Sequence, residues 1–158
     1  MNNKIVKGAF GLFAFGLLTM SAMPGYSTTI PAMAGHAWVA SGATGTTYAA
    51  DQACFVSAWS QVSNACSTTK KLLIPVSSTA NGSVTFKTNN PPASGGICLF
   101  AASCRAIVNS SVNGLLTQTA AVAGCGTQTL GTLSVGANDV VHYDCDVPAN
   151  GKLLSVQF

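Results

Sequence analysis

The chain has 158 residues, only 7% of them charged, with seven Lys or Arg against four Asp, no Glu and two His. So few cations leave no basic face for nucleic acid. Four carboxylates and two imidazoles leave few combinations for acid/base or metal chemistry, and no motif implies a cofactor.

Met1 to Lys7 carries two lysines and no acid, and Ala9 to Met20 is a short apolar run. The run is too short to cross a bilayer as a helix, so residues 1–27 read as a secretory signal peptide, cut somewhere within 22–34. Losing Lys4 and Lys7 lowers the formal charge from +3 to +1. The expected mature chain is secreted or periplasmic and has no transmembrane segment. Residues 28–35 then form a flexible lead-in, and residues 36–158 a single domain rich in Ser, Thr, Val and Gly, which suits β-structure.

Six cysteines, Cys54, Cys66, Cys98, Cys104, Cys125 and Cys145, follow the signal. An even number in an exported chain points to three disulfides, and the lack of any Cys-x-x-Cys pair argues against zinc.

His36 to Ser41 reads as a first short strand. Phe55, Ala58, Trp59 and Val62 have helical spacing, but polar neighbours and small length favour a loop closed by Cys54 and Cys66, with a strand from Val62 to Cys66 and with Phe55 and Trp59 packed inside. Leu72–Val76 and Val84–Thr88 form a hairpin around Asn81-Gly82, with Val76 opposite Phe86. Pro75 donates no ladder hydrogen bond and suggests an edge. Gly95 to Val108, if extended, puts Cys98, Phe100, Cys104 and Val108 on one face. Cys98 and Cys104 then stand roughly 20 Å apart, too far for a disulfide, so they need partners elsewhere, with Cys125 and Cys145 available. Asn113-Gly114 turns the chain into Leu115–Val122, and Thr127–Val135 follows the break at Gly124-Cys125-Gly126.

The last segment alternates strictly. A type I′ turn at Asn150-Gly151 pairs Val147 with Leu154, Cys145 with Val156 and Tyr143 with Phe158. The turn signals and strand count together predict an all-β fold, a single antiparallel β-sandwich of about eight strands, with a barrel as the alternative.

Cys54-Phe55 with Trp59, Asn64 and Cys66, the central Cys104-Arg105-Ala106 with Gly114, and the closing Cys145-x-Val147-Pro148 with Gly151 resemble a group of uncharacterised small exported bacterial proteins. The resemblance makes Cys54, Cys66, Cys104 and Cys145 the shared set and Cys98 and Cys125 additional. It thereby implies the pairs 54–66, 98–125 and 104–145, and it implies no substrate, cofactor or catalytic residue.

His142, Asp144 and Asp146 share the polar face of the last segment, with Asp139 at its base. An imidazole and two carboxylates are a candidate surface site for a divalent cation or a sugar hydroxyl, but same-face residues stand about 7 Å apart along a strand, so a solvated face is the simpler reading. No Gly-x-Ser-x-Gly elbow accompanies the histidines, and Thr117-Gln-Thr119 and Thr127-Gln-Thr129 offer only short hydroxyl ranks. The expectation is a non-enzymatic binding module for a glycan or protein partner, with Trp38 or Tyr48 as the aromatic to watch. A surface-assembly subunit whose lead-in lies on a neighbour's sheet edge comes second, and a hydrolase third.

Overall fold

A computed structural model describes residues 29–37, 50–58, 61–76 and 81–158. The signal peptide, its cleavage region up to Thr28, Trp38, Tyr48 and Trp59 lie outside these residues. The described residues form thirteen strands: β1 (Thr29–Pro31), β2 (His36–Ala37), β3 (Phe55–Ala58), β4 (Gln61–Asn64), β5 (Lys70–Val76), β6 (Gly82–Asn90), β7 (Ser103–Asn109), β8 (Leu116–Gln118), β9 (Val122–Ala123), β10 (Gly126–Val135), β11 (Val140–Val147), β12 (Lys152–Leu153) and β13 (Ser155–Gln157). They pair antiparallel in three sheets ordered β1-β13-β6-β10, β2-β5-β11-β7-β8 with β9 also on β7, and β12-β4-β3. The fold is all-β, with more and shorter strands than the eight expected. No helix among the described residues is long and apolar enough to cross a membrane.

Period-two alternation builds the core. Val141, Tyr143, Cys145 and Val147 of β11, Leu72, Ile74 and Val76 of β5, and Cys104, Ala106 and Val108 of β7 all point inward. From the other large sheet Val84 and Phe86 of β6 and Val156 of β13 join the same cluster. Phe86 and Tyr143 meet edge to face across the sheets, ring centroids 5.8 Å apart, a geometry the ring quadrupoles favour. The Tyr143 hydroxyl donates to the Gln157 carbonyl. Burial pushes its phenol well above the ordinary range, so it stays a neutral donor that ties β11 to β13.

The three disulfides are 54–66, 98–125 and 104–145, the pairs that the resemblance implies. Cys104 and Cys145 are directly opposite on β7 and β11 and fully buried.

Two expected hairpins are not hairpins. β5 pairs with β2 and β11, whereas β6 pairs with β13 and β10, so the chain through Asn81-Gly82 passes between sheets and Val76 faces Val141 rather than Phe86. Likewise β11 lies between β5 and β7, while β12 pairs with β4 and β13 joins the other large sheet. Gly151 N–H donates to the Pro148 carbonyl at 2.7 Å, and only Asn150 of this turn has positive φ, at 60°. That is the type II pattern, not I′. Gly151 is needed for space, since a Cβ there would lie 2.7 Å from the Pro148 carbonyl oxygen. A break at Leu154, whose N–H goes to Asn89 and whose carbonyl accepts from Ala32, buries Leu153 instead of Leu154. The turn at Asn113-Gly114 does return β7 onto β8, with Gly114 at φ 68°.

Three further expectations change. Phe55–Ala58 is a strand paired with β4, not a loop. Thr29–Pro31, expected as lead-in, is an edge strand on this chain's own β13. Only Ser103 onward of Gly95–Val108 is strand, and Pro75 lies past the two residues that β2 covers, locally an edge.

Candidate functional site

Buried Asn64 organises the corner from which the chain's last segment departs. Its amide donates to the Thr68 and Val147 carbonyls, both at 2.8 Å, and its side-chain oxygen accepts from the Cys66 N–H at 3.0 Å. Its backbone N–H and carbonyl bond Gly151 and Asn150. Every polar group of Asn64 is thus used in structure, and the asparagine fixes where the Pro148–Gly151 turn lies.

His142, Asp144 and Asp146 do share the outer face of β11, opposite the buried alternation. The face is not simply solvated, because the neighbouring strands place counter-charges there. Arg105 on β7 faces Asp144 and reaches its carboxylate at 2.7 and 3.1 Å. Lys71 on β5 stands 3.0 Å from Asp146 and 3.4 Å from Asp144. Partial burial draws the Lys71 ammonium down, but the Asp146 hydrogen bond and the two carboxylate charges outweigh it and hold its pKa above the usual value. Two cations thus meet two anions. His142 sits one rung away beside Pro75 and Ile107, where half-burial lowers its pKa against the pull of Asp144. Among the described residues no three or more His, Cys, Asp or Glu side chains gather as a metal site would require. Asp139 lies apart, holding the Ser111 N–H at 2.8 Å and the Gly136 N–H at 2.7 Å; these amides keep its carboxyl below the usual range.

A different segment leaves its chemistry unused. Between β6 and β7 the chain forms a loop in which Ile97 is 58%, Leu99 63% and Phe100 51% exposed, although alternation from Cys104 predicts Phe100 inside. Contiguous exposure of large apolar side chains marks contact surfaces, whereas scattered exposure is ordinary. The loop is fastened at several points. Asn90 donates to the Ala102 carbonyl at 3.0 Å and to the Gly124 carbonyl at 2.7 Å. Ser94 and Ile97 exchange both backbone hydrogen bonds, the Phe100 carbonyl accepts from Lys152, and the Pro91 carbonyl accepts from Gly126. The Cys98–Cys125 bond staples its middle. Phe100 has φ 62°, the left-handed region that bulky residues rarely adopt, and that backbone turns the ring outward.

The loop borders two hollows. One, about 240 Å³, is lined by Pro91, Pro92 and Ile97 with Leu99, Phe100 and Lys152. The other, shallower and about 410 Å³, lies between Phe100, Ala123 and Pro148. None of the four aspartates lines either hollow, and Lys152 has no ion-pair partner among the described residues. The signal for this loop was present in Pro91-Pro92 and Gly95-Gly96, dipeptides that break strands. Gly95 and Gly96 both have positive φ, 60° and 77°. No protein-family model and no curated protein matches the chain.

Proposed function

We propose that this protein is a non-enzymatic interaction module of an oxidising compartment, secreted or periplasmic, and that it meets its partner through the Ile97–Phe100 loop. The two large sheets, joined through Phe86 and Tyr143, serve as the halves of a sandwich that carries the loop. The observation behind the reading is a disulfide-stapled, hydrogen-bonded loop holding three large apolar side chains in solvent. A fixed loop loses little conformational freedom on binding, so more of its contact energy appears as affinity. Three disulfides suit a compartment where thiols are oxidised. The candidate site His142, Asp144 and Asp146 supports a structural role instead, since its carboxylates are already engaged by Arg105 and Lys71. The likeness to small exported bacterial proteins agrees with export and adds no ligand.

The test is to probe the purified, oxidised protein against arrays of glycans, cell-wall fragments and lipids, beside a Leu99→Ser/Phe100→Ser variant. Retention that the double substitution abolishes is the expected result. Binding that the variant keeps in full, or turnover of an arrayed substrate, would discard the proposal.

An assembly subunit is the second reading, and β10 favours it. This ten-residue strand has no charged residue or proline, and among the described residues β6 alone pairs with it, whereas edges are commonly guarded by charge or proline. The lead-in offers no such support, because Thr29–Pro31 is used by β13 of the same chain. Light scattering across a wide concentration range separates the two: growth in mass that follows substitution of β10 and not of the loop supports assembly.

A further inference from the structure

We infer that the Ile97–Phe100 loop docks on a lipid bilayer bearing anionic headgroups, with Ile97, Leu99 and Phe100 entering the interface and Lys152 resting among the headgroups. The inference builds on the loop as the contact surface and names what it contacts. Interfacial binding grows with buried apolar area and with attraction of cations to anionic lipid. Both ingredients are here. The three side chains are each more than half exposed, and Lys152 lines the same hollow as all three. The hydrogen bond from the Lys152 backbone N–H to the Phe100 carbonyl, at 3.2 Å, holds the two main chains side by side. No carboxylate lines the hollow to neutralise it.

Charge selects a bilayer at this loop and not at a second exposed apolar group among the described residues. Val112, Leu115, Leu116 and Val140 are also exposed, but Asp139 immediately precedes Val140 and binds Ser111, the neighbour of Val112, at 2.8 Å. An anionic surface would be repelled there. A peptide adding as a strand is disfavoured at the loop, because strand addition needs free backbone groups. The Ile97 N–H, the Ile97 carbonyl and the Phe100 carbonyl are already bonded within the chain.

Co-sedimentation with vesicles of phosphatidylglycerol and phosphatidylethanolamine, against vesicles of phosphatidylcholine alone, tests the inference. The oxidised wild-type protein should pellet with the anionic vesicles and far less with the zwitterionic ones, and added salt should weaken the binding. Leu99→Ser/Phe100→Ser should reduce partitioning roughly ten-fold or more, and Lys152→Gln about five-fold. Val112→Ser/Leu115→Ser should leave it unchanged. All variants are compared only after circular dichroism and disulfide mapping match the wild type. Absence of wild-type partitioning into anionic vesicles, equal partitioning of the loop variant, or loss in the Val112→Ser/Leu115→Ser control would each overturn it. Self-association that the loop substitution abolishes, without vesicle binding, would overturn it in favour of a second copy. If vesicles fail while array binding still depends on the loop, the membrane inference falls and the interaction module stands.

Discussion

The outer face of β11 and the loop between β6 and β7 are opposites. The first holds the residues that look like chemistry, His142, Asp144 and Asp146, yet its carboxylates are met by Arg105 and Lys71 from the strands on either side. The second carries no motif, yet Ile97, Leu99 and Phe100 stand in solvent beside a lysine with no ion-pair partner among the described residues. A cluster of polar residues on one strand says little until the adjacent strands are known, because those strands decide whether the charges are answered. Apolar side chains on a stapled loop are not covered by any other part of the described residues.

Opening the loop should have the largest effect. Replacing Cys98 and Cys125 by Ser opens a loop closed across a sequence separation of 27, for which chain-entropy arguments give a loss of about 3 to 4 kcal/mol. Urea denaturation should show that loss, and hydrogen exchange should show faster opening around Ile97–Phe100. If stability falls but the loop's exchange does not change, the hydrogen bonds from the Asn90 side-chain amide and the Lys152 backbone N–H are what hold it. Next comes the charged face. Asp144→Asn leaves Arg105 and Lys71 with a weaker acceptor and should reduce stability by about 1 kcal/mol, the range of a partly exposed ion pair. A rise in stability would show that the face is held under repulsion, as an unoccupied ligand site would be.

His142 predicts a pH dependence on the same face. Its pKa is lowered in the folded protein, first by desolvation and against the attraction of Asp144, so the unfolded chain binds the proton more readily. The contribution of neutral His142 is therefore present above about pH 6.5, its unfolded value, and is lost as pH falls through the lower folded value. A His142→Gln variant should flatten this part of the denaturation profile, and NMR titration of the imidazole reads the shift directly. The smallest expected effect is on the loop's own side chains. Leu99→Ser/Phe100→Ser should change stability by no more than about 0.5 kcal/mol, because these side chains already face water. A larger destabilisation would mean that Phe100 packs and does not bind.

The three Asn-Gly pairs show how far the sequence could be read. Each suggests a turn from sequence, because Asn and Gly tolerate left-handed backbone conformations. Only Asn113-Gly114 makes a hairpin, while the chain through Asn81-Gly82 and Asn150-Gly151 carries a strand from one sheet to another. Turn chemistry is local and reports a reversal of direction. Whether the two arms then pair edge to edge or pack face to face depends on which surfaces are buried together. The burial phase of β11 was legible to the residue, since alternation holds whatever the partner. The neighbours of β11 were not, and so neither were the counter-charges on Asp144. Phe100 was misread for a related reason. Alternation counted back from Cys104 holds at buried Ala102 and ends at Phe100, whose own backbone, at φ 62°, leaves the extended region.

By itself, then, the sequence determined the all-β character, the inward and outward faces of its longest strands, the glycine-bearing turn positions and an even number of cysteines suited to pairing. These follow from covalent geometry and side-chain period, which act within a few residues. Only the tertiary structure decided which strands are neighbours, that Asn64 fixes the turn beneath the last segment, that Arg105 and Lys71 answer the aspartates, and that Phe100 is turned to solvent. Those depend on contacts between residues far apart in the chain, and no local preference specifies them.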